Sequence, residues 1–201
     1  MQVFRTLPKK VVVALSGGSD SMACLHYFLD KGYDVSAAHY IHFNSLSAEP
    51  EHEFVQKTCS NLGVKLFVEK QDSKNVMQSN EEFWRNGRYK FFRKLSTPVI
   101  TGHTLNDVVE WYLYSAMNGK GYLMDYSHGN VVRPFFLERK ETLLKILIDK
   151  QLAWYEDPSN TDVEFCKRNK VRHDLLPVAL SVNPGLFTMI KRMAIEKYRG
   201  L

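Results

Sequence analysis

The sequence predicts an α/β protein built on a doubly wound parallel sheet and followed by a small helical extension. Three observations carry that expectation. Strand-like and helix-like patterns alternate from residue 11 to about residue 116, the order that gives parallel strands with helices on both faces. The first strand, Val11-Val12-Val13-Ala14-Leu15, is a continuous apolar run rich in β-branched residues, as suits a strand covered on both sides. It runs through a glycine-rich loop directly into a helical pattern.

The elements follow in order. After Ser16 to Ser21, the residues Met22, Leu25 and Leu29 recur at helical spacing and Gly32 closes the helix. Val35 to Tyr40 reads as a second strand. A helix is expected around Glu51 to Leu62, with Phe54, Thr58 and Leu62 on one face and Gly63 after it. Lys65 to Val68 is a third strand. Asn80 is placed to cap a helix running to about Leu95, Val99-Ile100-Thr101 is a fourth strand, and Leu105 to Ala116 is another helix. Beyond Asn118 the character changes. A loop leads to Val131-Val132, then come helical patterns over Arg139 to Lys150, Lys167 to Leu176 and Gly185 to Tyr198. The expected division is a first unit over residues 1–136 and a helical extension over 137–201.

Composition narrows the class. Of 201 residues, 44% are hydrophobic, enough to build a core and too many for a disordered chain. No apolar run approaches the length needed to cross a bilayer, and Met1 to Leu7 is too short and polar for a signal-peptide core. Cys24, Cys59 and Cys166 lie far apart, without a CxxC pair or metal-ligand spacing, which points to a reducing, cytoplasmic setting. The net charge is +5, and basic residues cluster at 85–94, 167–172 and 191–199. Each cluster is either a solvated helix face or part of a surface for a polyanion. Three of them in a chain with a phosphate-binding loop favour a nucleic acid partner.

That loop is Ser16-Gly17-Gly18-Ser19-Asp20-Ser21. Two glycines let the backbone turn tightly and approach a ligand. Successive N–H groups, serine hydroxyls and the start of the following helix can then surround an anion. No Gly-Lys-Ser/Thr follows, so it is not a Walker A loop, and it is not GxGxxG. Asp20, at the mouth of the loop, can hold Mg²⁺ against phosphate oxygens or simply complement the helix dipole, and the two roles are compatible.

The loop resembles the SGGxDS segment of the PP-loop ATP pyrophosphatases. There the loop holds departing pyrophosphate, so that AMP is transferred. Further landmarks resemble the tRNA(Ile)-lysidine synthetase family: Arg85-Asn-Gly-Arg88-Tyr89 beside its RxxRY, Thr101-Gly102-His103 with Asp107 and Glu110 beside its TGHHxDDxxET, and Gly119-Lys-Gly121. Arg133-Pro134, Glu156-Asp157-Pro158-Ser159-Asn160, and Arg168-Asn169 with Arg172 and Leu175-Leu176-Pro177 complete the series. The resemblance implies ATP-dependent adenylation of C2 of cytidine 34 in a tRNA with a CAU anticodon. Attack by the ε-amine of free L-lysine then gives lysidine, AMP and pyrophosphate. It also implies ATP and pyrophosphate contacts from Ser16, Gly17, Gly18, Ser19, Asp20 and Ser21, from His39 and Ile41 at the end of the second strand, and from Gly102 and His103. Asp20 would hold Mg²⁺.

Asp107 and Glu110 stand three apart on one helix face, where they either recognise an ammonium group or serve as a cap and a solvated residue. The resemblance favours lysine binding. Arg85 and Arg88, also three apart, are candidates for phosphate or the anticodon nucleotide, with Arg85 counted among the catalytic groups. Arg168 and Arg172 are candidates for tRNA backbone or triphosphate, or else a solvated face.

The sequence departs from the family pattern near the chemistry. Thr104 stands where a second histidine is usual, Asn106 replaces the first of two aspartates, and His42-Phe43-Asn44-Ser45 lacks an arginine. Two other readings remain: thiolation of a tRNA base, which usually draws on paired cysteines or a cluster, and a nucleotide- or tRNA-binding protein without catalysis.

Overall fold

The computed structural model describes residues 3–42, 48–71, 81–156 and 167–199, and the alternating pattern folds there into one six-stranded sheet. Strands β1 (Lys10–Ala14), β2 (Asp34–Ile41), β3 (Lys65–Lys70) and β4 (Val99–Ile100) alternate with helices α1 (Ser19–Asp30), α2 (Ala48–Asn61) and α3 (Glu81–Arg93), and α4 (Leu105–Met117) follows. A hairpin of β5 (Ser127–His128) and β6 (Val131–Val132) comes next. The remaining elements are helical: α5 (Lys140–Asp149), α6 (Lys167–Lys170), a π-helical turn (Val171–Leu175), α7 (Leu176–Val182) and α8 (Leu186–Lys197). The strand order is β3-β2-β1-β4-β6-β5, and every pairing is parallel except β5 with β6. From β1 the chain winds outward through β2 and β3, then returns to place β4 on the other side of β1. That reversal opens a crevice beyond the carboxyl ends of β1 and β4, where ligands collect in such sheets.

Side-chain alternation along the strands divides the core. Val11, Val13 and Ala37 face one layer, packed with Leu25 and Phe28 of α1, Val55 of α2, and Leu143 and Leu147 of α5. Val12 and Ala38 face the other, against Phe91 and Phe92 of α3. A further cluster joins Leu105, Val108 and Val109 of α4 to Leu186, Phe187 and Ile190 of α8. Neighbouring residues at the expected division fall into different clusters, Phe135 with α1 and α5 and Phe136 with α4 and α8. Both are fully buried.

Two features go beyond the sequence expectation. The two-residue strands β5 and β6 are too short to show an alternation. The helix expected to stop near Leu176 continues to Val182 through the π-helical turn. Pro177 supplies the reason: it has no N–H to give the carbonyl four residues back, and a widened turn accommodates the missing bond. Phe43, Asn44 and Ser45, the expected cap Asn80, Asp157 to Asn160, and Cys166 lie outside the described residues. Among the described residues, no helix is long and apolar enough to cross a membrane.

Candidate active site

The loop between β1 and α1 is braced from within. Ser21 Oγ donates to the Gly18 carbonyl at 2.9 Å and accepts from the Ser16 N–H at 3.2 Å, while the two hydroxyls of Ser16 and Ser21 lie 3.3 Å apart. Gly17 holds φ at +79°, and a side chain there would press on Phe54 and Tyr155 at 3.3 Å. The Gly17 carbonyl in turn accepts from the Tyr155 N–H at 2.9 Å. The chain after α5 therefore fixes the outer edge of the loop. On the inner side, a Cβ on Gly102 would stand 2.6 Å from the Asp20 carbonyl oxygen. Glycine at 102 thus lets the end of β4 approach the first turn of α1, closing the crevice from both sides.

A cavity of about 210 Å³ occupies this crevice. Its walls include Ser16, Asp20 and Ser21 from the loop, His39 and Tyr40 from β2, Gly102 and His103 after β4, and Arg88 and Asp107. His39 is 2% exposed, with Nδ1 2.8 Å from the Leu15 carbonyl. A carbonyl only accepts, so Nδ1 carries the proton and Nε2 keeps its lone pair. Burial pulls His39 below its ordinary pKa, which keeps the ring neutral. His103 lies with Nδ1 2.8 Å from Thr101 Oγ1. Burial pulls it down to about 3, against the opposing pull of Asp107. Both imidazoles are neutral lone-pair or N–H groups at physiological pH, not cations.

A second cavity, about 120 Å³, adjoins the first and shares Asp20 and Asp107 with it. Thr104, Asn106, Glu110, Lys140 and Arg172 complete its polar lining. Three carboxylates meet three cations here. Asp107 Oδ2 accepts from the Thr104 N–H at 2.7 Å and from its hydroxyl at 2.9 Å, while Oδ1 pairs with Arg168. Burial works to raise the Asp107 pKa, but Arg168 and the Thr104 donors outweigh it and hold the carboxyl below the usual range. Glu110, 2% exposed, takes both arms of Arg172 at 2.8 and 3.0 Å and Nε of Arg168 at 3.1 Å. Asp20 Oδ2 lies 3.4 Å from Lys140 Nζ, whereas Oδ1 is buried and lacks a partner among the described residues. Burial pushes the Asp20 carboxyl up, and Lys140 opposes the rise.

A profile of the PP-loop domain family matches residues 2–179. The chain belongs to the PP-loop domain family. Curated relatives of this PP-loop domain include the tRNA(Ile)-lysidine synthase of Pseudothermotoga lettingae, 30% identical over 194 residues that cover 88% of this chain and 43% of that protein. The tRNA(Ile)-lysidine synthase of Porphyromonas gingivalis is 30% identical over 200 residues, 92% of this chain and 44% of that one. The chain thus spans less than half the length of these two relatives. Among solved structures, the U34-tRNA thiolase of Methanococcus maripaludis with its [4Fe-4S] cluster superposes with a TM-score of 0.70 at 16% identity, covering 96% of this chain and 72% of that one. At that identity the likeness speaks for the fold.

Within the PP-loop domain, the residues singled out in the sequence fall into three places. Ser16, Asp20, Ser21, His39, Gly102 and His103 line the first cavity, Gly17, Gly18 and Ser19 belong to the same loop without lining it, and Ile41, at the end of β2, gives its carbonyl to the Gln71 N–H. Asp107 and Glu110 lie together on α4 as their spacing implies, but they hold Arg168 and Arg172, two residues also considered for RNA. Arg88 lines the first cavity, whereas Arg85 lies over the rings of Tyr89 and Trp111. Sequence reasoning missed Lys140. Its one legible signal is a lysine opening α5, where a positive charge opposes the helix dipole. Arg133 was noted only as part of a motif. It is 3% exposed, donates to the Asp125 carbonyl at 2.7 Å and to Tyr89 Oη at 2.6 Å, and so ties α3 to the strand edge.

Proposed function

We propose that this PP-loop protein is a tRNA(Ile)-lysidine synthetase. It adenylates C2 of cytidine 34 in a tRNA with a CAU anticodon, then joins free L-lysine to that carbon. The observation that carries the reading is the pair of adjoining cavities, one walled by the phosphate loop and the other by carboxylates, with Asp20 and Asp107 common to both. Similarity to tRNA(Ile)-lysidine synthases over about nine-tenths of the chain supports the choice of substrate.

In the first step the cytosine O2 attacks the α-phosphorus of ATP, and pyrophosphate departs. Backbone N–H groups of Gly17 to Ser21, at the loop and the first turn of α1, hold the departing anion. Asp20, whose buried Oδ1 lacks a protein partner among the described residues, fits a divalent cation, and Mg²⁺ held there would supply charge neutralisation to the phosphates. His103 contributes a neutral ring beside the reacting phosphate, Arg88 offers a fixed positive charge in the same cavity, and Arg85 serves the anticodon nucleotide. In the second step the ε-amine of lysine attacks C2 and AMP departs. Asp107 and Glu110 bind the incoming ammonium group and hold it next to the adenylated base, exchanging part of their contact with Arg168 and Arg172, and the group gives up one proton to solvent before its nitrogen attacks. The released guanidiniums then face the tRNA phosphates.

Among the described residues, the two cysteines favour this reading over thiolation. Cys24 is fully buried and burial pushes its thiol up, while burial raises Cys59 to about 11. Reactive thiols need the opposite shift. The test is pyrophosphate release from ATP with lysine, tRNA and Mg²⁺ omitted in turn. Release that requires the tRNA, with labelled lysine incorporated, is expected. Tight ATP and tRNA binding without any release would replace the proposal with a non-catalytic role.

A further inference from the structure

Lys140 stands outside the residues that the sequence associates with nucleotide chemistry, yet it is built into the site. Its backbone N–H donates to Asn106 Oδ1 at 3.0 Å, so the chain entering α4 caps the start of α5 and fixes where the lysine stem begins. Nζ reaches Asp20 Oδ2 at 3.4 Å with 40% of the side chain still exposed. It lies in the wall of the second cavity, against the one carboxylate of the phosphate loop. A lysine in the first turn of a helix works against the helix dipole, so α5 itself gains nothing from the charge. Packing of α5 on α1, through Leu143 and Leu147 against Leu25 and Phe28, keeps this cation beside the loop.

We infer that Lys140 is a pyrophosphate-binding residue, an ammonium group that leaves Asp20 for the β- and γ-phosphate oxygens when the loop fills. The assignment rests on the ATP-pyrophosphate reading above and extends it to a residue on α5. The chemistry is complementary. Asp20 has one oxygen on Lys140 and one without a partner among the described residues, so a divalent cation arriving with the phosphates competes with Nζ for the same carboxylate. The displaced ammonium is then a mobile point charge a few ångströms from a highly charged anion, and its flexible stem lets it follow. Asn106, a neutral acceptor, positions the lysine without binding the charge itself.

The test is calorimetric titration of inorganic pyrophosphate and, separately, of AMP into the wild type, Lys140→Met and Lys140→Arg, with EDTA and again with Mg²⁺. Loss of one charge-assisted contact is expected to weaken pyrophosphate about tenfold or more in Lys140→Met. AMP affinity should remain unchanged, and Lys140→Arg should restore most of the loss. With Mg²⁺ present, Lys140→Met should also need less metal to reach half-saturation, because Asp20 has lost its competitor. Unchanged pyrophosphate affinity in Lys140→Met overturns the assignment. Equal weakening of AMP and pyrophosphate also overturns it, as the mark of a merely structural role. A wild type that binds neither ligand removes the ATP-pyrophosphate reading, and this assignment with it.

Discussion

Single atoms decide how the phosphate loop works. A methyl group at Gly102 would meet the Asp20 carbonyl oxygen at 2.6 Å and its carbon at 2.7 Å, and backbone cannot rotate away as a side chain can. Gly102→Ala is therefore expected to push the start of α1 from β4, lowering ATP affinity at least about tenfold and costing about 1–3 kcal/mol of stability, as read by titration and urea denaturation. Asp20→Asn tests the carboxylate itself. It keeps the shape and removes a charge whose burial is unfavourable, so the melting temperature should hold while turnover falls roughly a hundredfold or more. Because burial raises the Asp20 pKa, protonation should also cut ATP–Mg²⁺ affinity at a pH above the ordinary aspartate value of about 3.9. A binding curve that stays flat down to that value would refute the argument. The loop was legible in the sequence because its residues are contiguous and their order reports the backbone they need. Lys140 was not, since its place beside Asp20 depends on how α5 packs, 120 residues further along the chain.

At the scale of elements, α4 and the α6–π segment are joined by charge. Glu110 is 2% exposed, whereas Arg168 and Arg172 keep 35% and 31% of their side chains in solvent. Removing one partner of a buried pair costs about 3–5 kcal/mol, and the exposed guanidiniums reduce that by solvent screening. Glu110→Gln is expected to destabilise by about 2 kcal/mol, measured as a lower urea midpoint. A change under about 0.5 kcal/mol would mean that the network contributes little to docking the two elements. The spacing of Asp107 and Glu110 revealed a shared face. It could not reveal that the arginines, more than fifty residues away and read as candidates for RNA, come back to that face. Strand and helix alternation was readable because each period is local. The prolongation of the helix past Pro177 was not, because a widened turn leaves no periodic mark.

For the whole molecule, the titrating groups set a direction for stability against pH. His103 falls to about 3 in the folded protein, while an unfolded histidine titrates near about 6.5. Below that pH the unfolded chain gains a proton that the folded one refuses, so stability should decline steadily as pH drops. Asp107, held below the usual carboxylate range, adds a stabilising contribution that is fully present above the unfolded value of about 3.9 and lost as pH falls through its lower folded pKa. Urea midpoints from pH 8 to pH 4 should show the first slope, to which His39 and His26, also pulled down by burial, contribute, and His103→Gln should make it shallower. An unaltered slope in that variant would count against a neutral imidazole in the folded site.

The wall common to both cavities has a thermodynamic consequence. Asp20 and Asp107 border the space on either side, so a charge placed in one chamber changes the field felt in the other. Occupancy of the two is then linked by a single coupling free energy, and linkage is reciprocal. Whatever factor a bound nucleotide applies to the affinity of an amine, the amine must return to the nucleotide, and either titration alone measures both.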